Sequence, residues 1–196
     1  MSTKVKLIAF SGSTRKESHN KRVVEIAAAG ARAAGAEVSL IDLKDFDLPF
    51  YDADLEEAHG IPAGPQKLKD LFLSSDGFLI ASPEYNGSMP GFLKNAIDWA
   101  SRPGPGETPT TLRAFRGKVA GIMSASPGPW GGVRGLAHLR QILSGMAVLV
   151  AAEQLAVPNA TDAFELNGAL KNGAYHTLIE AIGKRVAHLA RAMKEA

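Results

Sequence analysis

The chain has 196 residues, 45% of them hydrophobic and 21% charged, with a formal net charge of +2 and acids and bases mixed along its length. That composition suits one domain, residues 1–196, with a sizeable core, and it argues against a disordered or fibrous protein and against nucleic acid as a partner. Cysteine is absent, which excludes disulfides, thiol redox catalysis and cysteine-ligated metal, so any redox chemistry has to come from a bound cofactor.

In chain order, residues 1–10 carry Lys4 and Lys6 ahead of an apolar run too short for an export signal, so a cytoplasmic location is expected. The longest apolar run elsewhere, 146–152, falls far below the roughly 20 residues that span a bilayer, and no membrane partner is expected. Five short apolar runs read as strands covered on both faces: 5–10, 37–42, 77–81, 118–123 and 148–153. Helical patterns lie between them at 20–34, 66–74, 91–101 and 133–145, and a last one runs over 168–194. Gly35 stands where the first helix needs a left-handed residue to stop. Alternating strands and helices with right-handed crossovers give an α/β fold, a three-layer, doubly wound, five-stranded parallel sheet, for which strand order 2-1-3-4-5 is expected. Two irregular stretches, 43–65 and 102–117, interrupt the alternation and read as walls, lids, subunit contacts or plain surface excursions.

Ligands of such sheets sit outside the carboxyl ends of the strands, at the point where strand order reverses. The loop after the first strand, Ser11-Gly12-Ser13-Thr14-Arg15-Lys16-Glu17-Ser18-His19-Asn20, has Ser, Thr, Asn or Arg at six of ten positions and opens into a helix. Hydroxyl donors, free N–H groups and the positive end of a helix dipole suit a phosphate monoester; helix capping alone needs only one of these residues. The loop lacks the Gly-Lys-Ser/Thr end of a nucleoside-triphosphate site and the spaced glycines of a dinucleotide fingerprint, so a monophosphate fits better. After the third strand, Ser82-Pro83-Glu84-Tyr85-Asn86-Gly87-Ser88-Met89-Pro90 offers an Asn-Gly turn whose N–H groups face a planar heterocycle, Tyr85 to lie along it, and Ser88 to cap the next helix. After the fourth strand, Ser124 to Gly132 is small enough for a ring or polyol chain to approach. Arg134 serves ligand, subunit contact or solvent. The five histidines are scattered with no carboxylate cluster, so no metal site is expected, and no Gly-x-Ser-x-Gly elbow anchors a hydrolase.

Four motifs together, Gly12-Ser13-Thr14-Arg15-Lys16-Glu17-Ser18-His19-Asn20, Leu48-Pro49-Phe50-Tyr51-Asp52-Ala53-Asp54-Leu55-Glu56, Pro83-Glu84-Tyr85-Asn86-Gly87-Ser88 and Gly131-Gly132-Val133-Arg134, make the chain resemble the NADPH-dependent FMN reductase family, over nearly all its length to about residue 155. The resemblance implies a flavodoxin-like fold. It implies FMN with its phosphate on Ser11, Ser13, Arg15, Ser18, His19 and Asn20, its isoalloxazine against Pro83, Glu84, Tyr85, Asn86, Gly87 and Ser88, and Ser124, Ser126 and Gly128 along its border. It further implies NADPH or NADH as co-substrate, hydride passing through flavin N5 to a small acceptor such as a quinone, chromate, an azo compound or free flavin, and a homodimer or homotetramer with sites at subunit boundaries. No side chain is assigned as acid or base. An apolar stripe of Met89, Phe92 and Trp99, beyond what one sheet covers, agrees with such an assembly. Two rival readings are a flavodoxin-type FMN electron carrier, which the slightly basic charge disfavours, and a phosphosugar or nucleotide enzyme without flavin.

Overall fold

The computed structural model of the protein describes residues 4–195. Its strands are β1 (Lys6–Ser11), β2 (Glu37–Asp42), β3 (Gly77–Ala81), β4 (Val119–Ala125) and β5 (Leu149–Val157), and its helices are α1 (His19–Ala33), α2 (Ala53–His59), α3 (Ala63–Leu73), α4 (Gly91–Ala100), α5 (Val133–Gly145) and α6 (Gly173–Glu195). The strands form one parallel sheet in the order β2-β1-β3-β4-β5, the order expected. No helix among the described residues is long and apolar enough to cross a membrane.

Strand periodicity divides the core into two layers. Leu7 and Ala9 of β1 and Leu79 and Ala81 of β3 face α1 and α6, while Ile8, Phe10, Phe78 and Ile80 face α3, α4 and α5. The second layer is built on aromatic rings, with Phe72 between Phe10, Phe78 and Phe115 at centroid distances of 5.6, 4.8 and 5.7 Å. In the first layer α1 and α6 meet through glycine. A Cβ on Gly183 would stand 1.9 Å from the Ala27 carbonyl oxygen, and one on Gly30 would stand 2.1 Å from that of Glu180.

The first irregular segment covers α4, while Phe115 of the second packs on Phe72 and Phe78. The Pro49 carbonyl accepts from Trp99 Nε1 (2.7 Å) and Asn95 Nδ2 (2.8 Å), Asn95 Oδ1 accepts from the Tyr51 N–H, and the Tyr51 ring meets the Trp99 indole edge-on. Trp99 is therefore fully buried within its own chain, and Met89 is buried as well, so the expected second stripe on α4 needs no partner subunit to cover it. Arg102 joins the two segments by donating from Nε to Glu56, which also accepts from the Tyr51 hydroxyl.

Other boundaries moved for identifiable reasons. The short helix α2 lies inside the segment expected to be irregular. It buries no residue, so it has no apolar periodicity to find, and it stands on the Asp52 carboxylate, which accepts from the Asp54 and Leu55 N–H groups. Helix α3 begins at Ala63, three residues early, since Pro65 is tolerated in a first turn. Strand β5 continues to Val157 as an edge strand, where Glu153 and Gln154 lie open to solvent. Helix α6 starts at Gly173, because 164–170 folds as a tight hairpin closed by the Phe164–Leu170 bridge. The expected left-handed stop after α1 is present, with Gly35 at φ 87°.

Gly183→Ala is expected to force α1 and α6 apart and to lower stability by about 2–3 kcal/mol, the range for overpacking a close contact, as read from the denaturation midpoint at unchanged slope. A change below about 0.5 kcal/mol would contradict this packing.

Candidate functional site

Parallel pairing aligns the carboxyl ends of the three central strands. Ser11 lies beside Ala81, and Ala81 beside Met123, two residues before the end of β4. The loops that leave these ends are then tied to one another through main-chain groups. The Gly12 N–H donates to the Ala81 carbonyl at 2.9 Å, and the Ser82 N–H to the Met123 carbonyl at 2.9 Å. A Cβ on Gly12 would lie 2.7 Å from Leu93 Cδ2, so a larger residue there would displace the buried Leu93 side chain.

The loop after β1 closes on its own hydroxyls. Ser11 Oγ accepts from the Ser13 N–H, Ser13 Oγ from the Arg15 N–H, and Ser18 Oγ, the cap of α1, from the Asn20 N–H. Each hydroxyl is thereby used as an acceptor and keeps its own proton to donate. Among the described residues Arg15 makes no ion pair, and it is exposed. The Asn20 side chain is buried and fully engaged: its Nδ2 donates to the Ala125 carbonyl at 2.8 Å and its Oδ1 accepts from the Ala125 N–H at 2.9 Å.

After β3, Tyr85 and Ser88 exchange main-chain bonds of 2.8 and 3.0 Å around Asn86 (φ 51°) and Gly87 (φ 79°). This is the two-residue turn that places both central residues in the left-handed region. Ser88 does not cap α4, because that helix begins at Gly91 with Pro90 in the cap position, and the Ser88 hydroxyl instead meets His138 Nδ1 at 2.9 Å. The N–H groups of Asn86 and Gly87 make no bond among the described residues. Glu84 reaches across to the start of α5, whose own cap residue, Gly132, has no side chain to offer. Its carboxylate accepts from the N–H groups of Arg134 (3.0 Å) and Gly135 (3.1 Å) and from the Arg134 guanidinium. Burial alone would raise the Glu84 carboxyl, but these donors outweigh it and hold it below the usual carboxylate range.

Between these loops lies a cavity of about 230 Å³. Ser13, Arg15, Ser18, His19 and Asn20 line it from the β1 side, Pro83, Glu84 and Tyr85 from the β3 side, and Ser126 from the β4 side. Nine of the residues singled out from sequence thus meet in one place. The other six do not line it. Ser11 is used inside its loop, Asn86, Gly87 and Ser88 form the turn beyond Tyr85, Gly128 donates to Ser126 Oγ, and Ser124 is buried with its hydroxyl on the Gly131 carbonyl. The glycines after β4 serve the protein's own packing, since a Cβ on Gly132 would overlap Ser124 Oγ at 2.3 Å.

Phe164 completes this region and carries no sequence signal. The 164–170 hairpin brings its ring parallel to the His19 imidazole, with centroids 5.7 Å apart and planes 7° apart, while the Arg22 guanidinium lies 5.5 Å from the same ring. His19 Nδ1 is shielded from solvent and, among the described residues, meets no protein donor or acceptor.

The chain matches the NADPH-dependent FMN reductase family over residues 5–162. It is 36% identical over 181 residues to an NAD(P)H-dependent FMN reductase of Pseudomonas aeruginosa, covering 92% of each chain, and 39% identical over 150 residues to a quinone reductase of Escherichia coli, covering 76% of this chain and 75% of the other. Its fold superposes with TM-score 0.78 on a flavoenzyme NAD(P)H:(acceptor) oxidoreductase from Paracoccus denitrificans, at 26% identity over 97% of this chain and 98% of that one. With strand-end loops converging on a cavity suited to an anion, and a match spanning most of its length, the chain belongs to the NADPH-dependent FMN reductase family.

Proposed function

We propose that this protein is an FMN-dependent NAD(P)H oxidoreductase that passes electrons from a reduced nicotinamide to a small acceptor, with quinones and flavins as the first candidates and chromate and azo compounds as further ones. The observation that carries this reading is the cavity itself. Arg15, which makes no ion pair among the described residues, the hydroxyls of Ser13 and Ser18 and the N-terminus of α1 point one wall toward an anion, and the opposite side ends in a Tyr85 ring that is 54% exposed. These residues fit a phosphate monoester attached to a planar ring, and the orphaned Nδ1 of His19 marks where a further partner is wanting. When bound, FMN would supply the two-electron redox chemistry that a chain without cysteine or a metal motif lacks.

The chain's own residues then bind, orient and polarise. Arg15, Ser13 and Ser18 hold the phosphate. Asn20 fixes the distance between that loop and β4. The free N–H groups of Asn86 and Gly87 are donors for the polar edge of the ring, where negative charge collects on reduction. Glu84, committed to Arg134 and the start of α5, is a strut and supplies no proton. We read the chain as one FMN-binding domain, since both core layers share one sheet. We place it in the cytoplasm as a homodimer or homotetramer. Its exposed Phe50, Tyr85 and Trp130 all stand on loops leaving the carboxyl ends of strands, and large apolar side chains left open there suit a subunit contact beside the site.

Arg15→Ala is expected to weaken FMN binding about tenfold to hundredfold, matching the roughly 1.5–3 kcal/mol of a charge-assisted contact, without change in thermal stability. Flavin retention equal to that of the parent protein would argue against the assignment. Asn20→Ala behaves differently, because it strands a buried N–H and carbonyl at Ala125: stability falls by about 1–3 kcal/mol together with flavin affinity, as followed by denaturation and flavin fluorescence. In steady-state assays the flavin-loaded protein is expected to oxidise NADPH or NADH with a quinone as acceptor. A yellow protein with no such turnover would point to an electron carrier instead.

A further inference from the structure

We propose that His19 takes up a proton as the FMN phosphate binds, so that a neutral imidazole in the free protein becomes the charged partner of the bound phosphate and FMN affinity falls as pH rises from about 6.5 to 7.5. The inference rests on the flavin reading above and extends it to the control of that site by pH.

The geometry starts with the ring. His19 is the first residue of α1, directly after the capping Ser18, and it lines the cavity with Ser13, Arg15 and Ser18. Phe164 lies parallel to it, which fixes its plane, and Nδ1 is enclosed without a protein partner. A buried imidazole nitrogen with no hydrogen bond is costly and rare, and it is satisfied once a ligand oxygen reaches it. The groups around it make the neutral form the resting one. Burial disfavours the imidazolium, and the cations of Arg22 on the same helix and Arg15 in the loop disfavour it further, so His19 sits below the ordinary histidine value. The hairpin packed against it meets the imidazole through the apolar ring of Phe164, its carboxylate Glu165 is not among the charges that act on the ring, and Glu84 across the cavity is already engaged by Arg134.

Binding reverses that balance. A phosphate monoester with its second ionisation near pH 6 arrives as a dianion at neutral pH, and its charge both engages Arg15 and attracts a proton to the adjacent imidazole. A hydronium or buffer acid gives up the proton, its O–H bond breaking as an N–H bond forms on the imidazole, and a half-turn of the ring, which keeps its plane against Phe164, carries the enclosed Nδ1–H to a phosphate oxygen; no bond between heavy atoms changes. Because the bound state holds one proton more than the free state, affinity must fall with rising pH between the free and bound pKa values of His19. Without the imidazole only the phosphate's own ionisation remains, and with its second ionisation near pH 6 that changes by only about 1.3-fold between pH 6.5 and 7.5.

The test is calorimetric titration of the flavin-free protein with FMN at pH 7 in buffers of different ionisation enthalpy, with riboflavin and with the His19→Gln variant as controls. The expected result is uptake of about 0.5–1 proton per FMN in the parent protein and close to none with riboflavin or in the variant. The dissociation constant of the parent should rise about threefold to tenfold from pH 6.5 to 7.5 while that of H19Q stays level. Nitrogen NMR of the His19 ring should show the imidazolium pattern only in the FMN complex. FMN binding without proton uptake, even if H19Q binds more weakly, would mean that a neutral Nδ1–H donates, and it would overturn the proposal while leaving the flavin site standing. Equal uptake by the parent and H19Q would overturn it too. No FMN binding at any pH from 6 to 8 would overturn both this proposal and the flavin reading.

Discussion

One side-chain amide holds the candidate site together. Asn20, on the first turn of α1, grips both the N–H and the carbonyl of Ala125, a residue 105 positions later at the end of β4. Two hydrogen bonds from one planar group leave little freedom of rotation, so the anion-facing loop and the end of the fourth strand are set in a fixed relation across β3. The clamp is buried, where such bonds are strong and their loss is costly. Everything that lines the cavity is referred to this fixed distance.

The same device recurs on the other side. Glu84 satisfies the first N–H groups of α5, a helix whose own cap is glycine, and so ties the β3 loop to the β4–α5 connection as Asn20 ties the β1 loop to β4. Three loops that would each be mobile alone become one rigid frame. What the frame leaves free among the described residues is informative in turn: a cation without an ion pair, hydroxyl protons, two turn N–H groups and a histidine nitrogen, all donors or potential donors. The protein has satisfied its own acceptors and kept donors for something negative.

Much of this was legible in the residues. Continuous apolar runs marked β1, β3 and β4 because these central strands are covered on both faces, whereas the edge strands β2 and β5, also expected to be covered, are largely open; the alternation with amphipathic helices marked a parallel doubly wound sheet, and the order 2-1-3-4-5 is that of the flavodoxin-like fold. The density of hydroxyls in residues 11–20 marked the anion loop, and Asn86-Gly87 marked the turn. What stayed hidden depends on long-range contact. Nothing in the sequence says that Asn20 is spent on Ala125, that Trp99 is covered by Pro49 and Tyr51, or that Phe164 stacks on His19, because those pairs are separated by 105, 50 and 48, and 145 positions. Helix α2 was missed because it buries nothing and rests on its cap alone. Ser124 and Gly132 looked like room for a ligand, yet they fill each other's space.

The account stands on the claim that the loop between β1 and α1 recognises a phosphate and not merely a flavin ring. Equilibrium titration of the flavin-free protein with FMN and with riboflavin, followed by quenching of flavin fluorescence, tests this directly. Several charge-assisted contacts to one phosphate predict that FMN binds at least about a hundredfold more tightly than riboflavin at neutral pH. Equal affinity for the two would contradict the claim.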